Sequence, residues 1–80
     1  MQSENVAKTI VDLFIEKEAF ADIGLDDDYF DKGISSLTII ELQVKVEEVL
    51  GVSVPTAQLM RLSTINEWVE KYSAALAESA

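Results

Sequence analysis

The chain has neither cysteine nor histidine among its 80 residues. Without cysteine it can form no disulfide bond, no thiolate metal site and no thiol nucleophile. Without histidine it lacks the commonest general base and the commonest transition-metal ligand. Hydrolytic triads and zinc enzymes are therefore poor interpretations of this sequence, and a modest hydrophobic core must supply its stability.

Basic residues are scarce as well. Six lysines and arginines face fifteen aspartates and glutamates, which gives a formal net charge of −9. A chain of this charge is repelled by nucleic-acid phosphates and anionic membrane surfaces, so we expect no nucleic-acid partner and no membrane partner. The charge favours basic protein partners, but it also keeps a small domain soluble and monomeric, and composition leaves both interpretations open. We expect a monomer.

Long apolar runs are also missing, and the longest apolar stretches are far too short to span a bilayer. Met1 is followed by polar residues and not by the apolar run of a secretory signal, so we expect a cytoplasmic protein. A length of 80 residues predicts a single domain over 1–80. Because the chain starts at Met1 and ends soon after its last predicted helix, we expect a freestanding protein. A domain excised from a larger protein would look similar.

Periodic apolar residues predict three longer helices. The first begins near Ser3, a suitable N-cap, and its pattern fades around 17–20. The second runs from about Ser36 to Leu50 and stops at Gly51, a residue type common just past helix ends. The apolar stripes of the first and last helices are Val6, Ile10, Leu13 and Phe14, and Ile65, Trp68, Val69, Tyr72 and Leu76.

Shorter signals complete the helical pattern. Thr64 with Glu67 three residues on forms a capping box that opens the last helix. Pro55 can begin a helix but not continue one, and it predicts a short helical turn over 56–60. The sequence shows no strand pattern and no internal repeat. It therefore predicts an all-α fold: a small antiparallel four-helix bundle of three longer helices and one short helix, with a long loop between the first two.

The long connection 21–35 is rich in aspartate and glycine, and loops of this length in a compact domain are usually functional. The aspartates do not fit a calcium-binding loop, because no register supplies both glycine at the sixth position and glutamate at the twelfth. Four apolar residues are expected to anchor the loop, and four others on the helices are expected to share one interior cluster. The first set is Ile23, Leu25, Tyr29 and Phe30, and the second is Phe14, Leu42, Val46 and Trp68.

The second predicted helix has two apolar faces. At about 100° per residue, one apolar stripe is expected to face the core and the other points in roughly the opposite direction, with carboxylates beside it. Apolar residues ringed by carboxylates favour a docking surface, although the outer residues could instead pack under the long loop. The inner stripe is Ile39, Leu42, Val46, Val49 and Leu50, and the outer stripe is Leu37, Ile40 and Val44, with Glu41, Glu47 and Glu48 interleaved.

Two serines stand where this helix begins. Ser35 can cap the helix, and Ser36 is then expected to project outward. As a catalytic nucleophile Ser36 would need a base beside it, and the chain has no histidine to serve as one. As an acceptor modified by another enzyme it needs no base, and a helix N-terminus favours a phosphate on its hydroxyl. The sequence permits a phosphodiester at Ser36 without demanding one.

A family resemblance is carried by the run from Gly33 to Leu37 and by the segments 41–42, 46–52, 54–55 and 63–65. Over essentially its whole length, the chain resembles the acyl carrier and peptidyl carrier proteins. In that family the serine of an Asp-Ser-Leu motif is joined to 4′-phosphopantetheine. The resemblance implies that Ser36 carries this cofactor, although Ser35 stands in place of the usual aspartate, which bears on which phosphopantetheinyl transferase acts. By the same resemblance, partner enzymes would contact Leu37, Ile40, Glu41, Val44, Glu47 and Glu48.

The resemblance implies a discrete acyl carrier protein that holds an acyl or aminoacyl group as a thioester. It would deliver this group to enzymes of polyketide, fatty-acid or nonribosomal peptide biosynthesis, and Ile34 and Leu37 mildly favour the first two. The implied partners are a phosphopantetheinyl transferase and acyl-loading and acyl-transferring enzymes with basic docking surfaces. The alternative is a cofactor-free acidic helical interaction module. An enzyme is the weakest interpretation, because only carboxylates, hydroxyls and lysines are available for catalysis.

Overall fold

A computed structural model describes residues 2–79, with side chains from 5 to 78. The predicted all-α bundle is confirmed, and no strand occurs in the described part of the chain. Its three longer helices and one short helix lie close to the predicted bounds. The elements are α1 (Gln2–Ile15), a 3₁₀ turn (Glu18–Phe20), α2 (Ser36–Leu50), α3 (Thr56–Leu59) and α4 (Ile65–Ser79).

Packing in the core joins α1 to α4 and to α2. The ring of Phe14 meets the ring of Trp68 edge-on, with the ring centroids 4.9 Å apart. Leu42 and Val46 of α2 are fully buried in the same cluster. The predicted interior cluster is therefore confirmed. The stripes predicted for α1 and α4 also face this core, with Leu13, Val69 and Leu76 at its partly buried edge.

The end of α2 and the start of α4 follow the predicted capping residues, whereas α1 begins at Gln2, one residue before the predicted cap Ser3, whose side chain lies outside the described residues. Gly51 ends α2 in the left-handed conformation (φ 72°), and its N–H donates to the carbonyl of Glu47 at 2.9 Å. At the start of α4 the Glu67 N–H donates to Thr64 Oγ1 at 3.1 Å, and Glu67 Oε1 accepts the Thr64 N–H at 3.1 Å. These reciprocal bonds are those of a capping box.

One buried residue was missed by the sequence pattern, and two expectations of burial were wrong. The pattern fades at 17–20, yet Phe20 is fully buried at the end of the 3₁₀ turn, where a helical period gives no signal. Leu25 is 42% exposed, and only its backbone ties the loop down, through a 3.1 Å bond from the Asn66 N–H to its carbonyl. Val49 is 60% exposed, because it lies at the edge of the inner stripe in the last turn of α2.

The anchor of the long loop is Tyr29. Its ring is fully buried, and its N–H donates to the carbonyl of Ser63 at 2.9 Å. Its hydroxyl accepts from Trp68 Nε1 at 2.7 Å and donates to the carbonyl of Leu62 at 3.2 Å. Burial raises the pKa of Tyr29 to about 12, so the hydroxyl keeps the proton that it donates. The loop is thereby fixed to α4 and to the segment before it.

Candidate functional site

A tight turn built on Tyr29 carries the chain from the core to Ser36. The carbonyl of Tyr29 accepts from the N–H groups of Lys32 and Ile34, each at 3.1 Å. Gly33 lies between them at φ 95°, a conformation that side chains with a Cβ rarely adopt. Ile34 is 8% exposed and belongs to the core cluster. The backbone is therefore fixed two residues before Ser36.

Ser35 caps α2, as predicted. Its backbone is extended (φ −87°, ψ 157°), and its Oγ accepts the N–H of Thr38 at 3.3 Å. The same oxygen lies 3.3 Å from Thr38 Oγ1. Because Ser35 supplies the cap, the hydroxyl of Ser36 is not needed to cap the helix.

Ser36 is exposed in the first turn of α2, which is where the sequence places it. Its hydroxyl has no hydrogen-bond partner among residues 5–78, and the backbone N–H groups of Ser36 and Leu37 donate to no acceptor there. Free N–H groups at a helix N-terminus, together with the helix dipole, stabilise a phosphate. The residues present therefore fit a phosphodiester on the Ser36 oxygen.

The outer stripe of α2 faces solvent. Leu37 is 66% exposed, Ile40 41% and Val44 56%, so none of them packs under the long loop. Glu48 is exposed beside them. The exposure expected from the helical pattern is confirmed, while a role in partner contact remains a prediction for these residues.

Glu41 is paired within the molecule. Lys17 Nζ donates to Glu41 Oε1 at 2.9 Å, between the end of α1 and the first half of α2. The hydrogen bond and charge of Lys17, with a smaller contribution from Lys45, lower the pKa of Glu41. The sequence pattern gave no sign of this contact, because it joins residues 24 positions apart.

Glu47 does not belong with the outer carboxylates, contrary to the sequence-based interpretation. Its Oε2 accepts from the Val54 N–H at 2.9 Å, the Tyr72 hydroxyl at 2.9 Å and Gln43 Nε2 at 3.3 Å. Helical geometry explains the error, since Glu47 lies at the edge of the face that meets 52–55 and α4. Burial, followed by the hydrogen bond and charge of Glu47, raises the pKa of Tyr72 well above its usual value.

Gln43 is a second residue of this network that sequence reasoning missed. It is 8% exposed, its Nε2 donates to the carbonyl of Val54 at 3.0 Å, and its Oε1 accepts from Thr56 Oγ1 at 3.0 Å. The available signal was its position on the helical face of Ile39 and Leu50. Together Gln43 and Glu47 fix the start of α3 against α2.

Replacing Glu47 by alanine is expected to lower the free energy of unfolding by about 1–3 kcal/mol, because the Val54 N–H and the Tyr72 hydroxyl lose their acceptor. The matched change Glu48→Ala, on an exposed carboxylate, is expected to alter it by about 0.5 kcal/mol or less. Urea unfolding of both variants measures the difference. Equal stability of the two would show that the Glu47 network contributes nothing.

Other parts of the surface offer less chemistry. A cleft of about 350 Å³ lies between the α2–α3 connection and the second half of α4, lined by Val54, Pro55, Gln58, Lys71 and Ala75 among others. It is near the opposite end of α2 from Ser36. No group of three or more metal-ligating side chains capable of holding a metal ion occurs in the described residues. No helix within 2–79 is long and apolar enough to cross a membrane.

A small helical bundle that presents an exposed serine with an unpartnered hydroxyl at the start of a helix fits a carrier class of protein. Comparison with protein families agrees, because the family model described as "Phosphopantetheine attachment site" matches residues 8–71. The chain belongs to this phosphopantetheine-binding carrier family, whose carrier domain is not itself an enzyme. The family domain is the site of covalently attached 4′-phosphopantetheine.

Two curated proteins show significant similarity. A "Dimodular nonribosomal peptide synthase" of Bacillus subtilis (strain 168) is 31% identical over 71 residues, which is 89% of this chain and 3% of that protein. An "L-allo-isoleucine:holo-[CmaA peptidyl-carrier protein] ligase" of Pseudomonas savastanoi pv. glycinea is 35% identical over 49 residues, 61% of this chain and 8% of that protein. The chain thus spans only a small part of either relative. No solved structure matches significantly.

Proposed function

We propose that Ser36 is the attachment residue for 4′-phosphopantetheine and that the chain carries an acyl or aminoacyl group as a thioester on this arm. The observation that supports the proposal is the exposed, unpartnered hydroxyl of Ser36 beside two free backbone N–H groups. The arm, when attached, supplies the thiol that a chain without cysteine lacks.

The chain's own residues position and expose the acceptor oxygen. The Tyr29 turn fixes the backbone ahead of the helix, and Ser35 satisfies the Thr38 N–H, so the first turn of α2 is held in place. Phosphodiester formation joins the Ser36 oxygen to the pantetheine-bearing phosphorus of a donor such as coenzyme A. The phosphoanhydride bond of the donor breaks, the nucleotide part leaves with the bridging oxygen, and the hydroxyl proton is lost. A transferase supplies the base for that step, because no base contacts Ser36 among residues 5–78.

The substitution of serine for aspartate at position 35 fits this proposal. The cap that a carboxylate would provide is made here by the Ser35 hydroxyl, at 3.3 Å from the Thr38 nitrogen. With serine at position 35, this site has one negative charge fewer than it would have with aspartate. We therefore propose that the residue 35 side chain affects the choice of transferase, while the helix start is preserved.

Partner enzymes are proposed to dock on the outer face of α2. Leu37, Ile40 and Val44 supply its exposed apolar surface, and Glu41 and Glu48 supply charge that complements lysines and arginines. The net charge of −9 assists the encounter with such surfaces. Glu47 is omitted, because it is half-buried and its Oε2 accepts hydrogen bonds from within the molecule.

We propose that the chain works in the thioester-based assembly of polyketides, fatty acids or nonribosomal peptides. The names of the two relatives, a nonribosomal peptide synthase and a ligase acting on a peptidyl-carrier protein, support the nonribosomal peptide branch. The residues beside Ser36, Ile34 and Leu37, favour the other two. The cargo found on the protein purified from its native source would decide among them.

The proposal is tested by incubating the protein with coenzyme A and a broad-specificity phosphopantetheinyl transferase, and then weighing it intact. We expect the mass of one phosphopantetheine arm to be added to each chain. A cofactor-free interaction module, the alternative function, would gain no mass. Absence of the addition with several transferases would contradict the carrier proposal for this chain.

A further inference from the structure

The proposed docking face contains an intramolecular ion pair that the carrier function does not require. Lys17 Nζ lies 2.9 Å from Glu41 Oε1, and Glu41 is one of the two carboxylates proposed to meet a basic partner. The Lys17 side chain is 29% exposed and that of Glu41 53% exposed, so the pair remains within reach of a visiting protein. A cation from this chain thus already contacts the Glu41 carboxylate.

Lys17 is held in this position by the fold. Its backbone N–H donates to the carbonyl of Phe14 at 3.1 Å, and its carbonyl accepts from the N–H of Phe20 at 3.0 Å. The rings of these two phenylalanines are fully buried and meet edge-on with centroids 4.9 Å apart. Because buried anchors lie on both sides, the ammonium group is presented to α2 by a fixed segment and not by a mobile loop.

We propose that Lys17 is a specificity-determining residue that competes with the partner's lysines and arginines for the Glu41 carboxylate. This inference rests on the carrier function proposed above. A partner that binds Glu41 must displace Lys17 or share the carboxylate with it, so this contact adds less to the partner's affinity. A partner that relies on Glu48 and the apolar residues of the face loses no affinity through Lys17. Lys17 thereby favours partners of the second kind.

The charge of Glu41 and its surroundings agree with this proposal. The proximity of Lys17 lowers the pKa of Glu41, so the carboxylate is ionised and neutralised locally at neutral pH. Exposed ion pairs contribute little free energy, so a partner can break this one. The effect on partner affinity is correspondingly limited to a factor of up to about five.

The chain provides a matched control. Lys8 forms an exposed pair with Asp12 at 2.8 Å within α1, and Lys8→Gln changes the net charge by the same amount as Lys17→Gln. Steady-state modification by a broad-specificity phosphopantetheinyl transferase with coenzyme A is measured for both variants and the wild type. We expect Lys17→Gln to lower the KM for the carrier by about two- to five-fold relative to Lys8→Gln, with kcat unchanged.

A second variant separates competition from a general change in the protein. Glu41→Gln is expected to raise KM more in the Lys17→Gln background than in the wild type, because only there is the carboxylate free. With a transferase whose KM depends on Glu41 in the Lys17→Gln background, a KM for Lys17→Gln equal to or above that of Lys8→Gln, or an equal effect of Glu41→Gln in both backgrounds, would overturn the inference. Absence of such a dependence with each of several transferases would overturn it as well. Failure of the wild type to be modified at all would instead count against the proposed function.

Discussion

Replacing Ser36 by alanine is expected to abolish the addition of phosphopantetheine, because the change removes the acceptor oxygen itself. The side chain is exposed and makes no hydrogen bond within residues 5–78, so the variant should fold with the stability of the wild type. The measurement is intact mass after treatment with transferase and coenzyme A, accompanied by thermal unfolding followed by circular dichroism.

Ser35→Ala is the matched control for this prediction. It removes a neighbouring hydroxyl and the cap that accepts the Thr38 N–H, so it should cost about 1 kcal/mol of stability. It should nevertheless gain the arm. Modification of Ser36→Ala, or loss of modification in Ser35→Ala under conditions where it is folded, would contradict the assignment of the site.

Truncating Trp68 to alanine is expected to lower the free energy of unfolding by about 3–5 kcal/mol. The indole is fully buried, contacts Phe14 at a centroid distance of 4.9 Å and donates a 2.7 Å hydrogen bond to the Tyr29 hydroxyl. A domain of this size has a total stability of about 5–15 kcal/mol, so the loss threatens folding itself. Chemical denaturation at neutral pH gives the value.

Trp68→Phe provides a graded comparison, since it keeps an aromatic ring and removes the N–H donor to Tyr29. Its stability should fall between that of the wild type and that of Trp68→Ala. A Trp68→Ala protein that melts like the wild type would show that the packing of α1 against α4 is not as described. Loss of the Trp68 indole should also loosen the turn built on Tyr29, and with it the segment that leads to Ser36.

Much of this fold could be predicted from local signals. Each of these signals depends only on residues a few positions apart in the chain. They are the helical period of α1 and α4, the cap at Ser35, the glycine at position 51 and the capping box of Thr64. Such signals fix helix bounds independently of the rest of the chain. The same holds for the exposure of Ser36, because it follows from the position of the helix start.

The features that could not be predicted depend on contacts between distant segments. Phe20 is buried by a 3₁₀ turn too short to show a period, and the side chain of Leu25 is left exposed although its backbone is bonded. The inward position of Glu47 follows from Val54 and Tyr72, which meet it only in the folded chain. A helical projection shows the direction of a side chain, but not which element lies in that direction.

The separation of Glu47 from the other carboxylates changes the expected effects of charge reversal on α2. A glutamate whose oxygen accepts three hydrogen bonds contributes to stability, and loss of activity in its variants would reflect the fold. Glu48 is exposed, so its variants report on partner contact. Glu41 lies between these cases, because Lys17 neutralises it in the free protein.

The most direct measurement locates the arm on the chain. Trypsin cleavage after Lys32 and Lys45 yields the peptide 33–45, which contains Ser35, Ser36 and Thr38 as the hydroxyl residues. Fragmentation of this peptide from the modified protein, under conditions that keep the phosphodiester intact, should place the added mass on Ser36. Finding it on Ser35 or Thr38, or on a different peptide, would contradict the account.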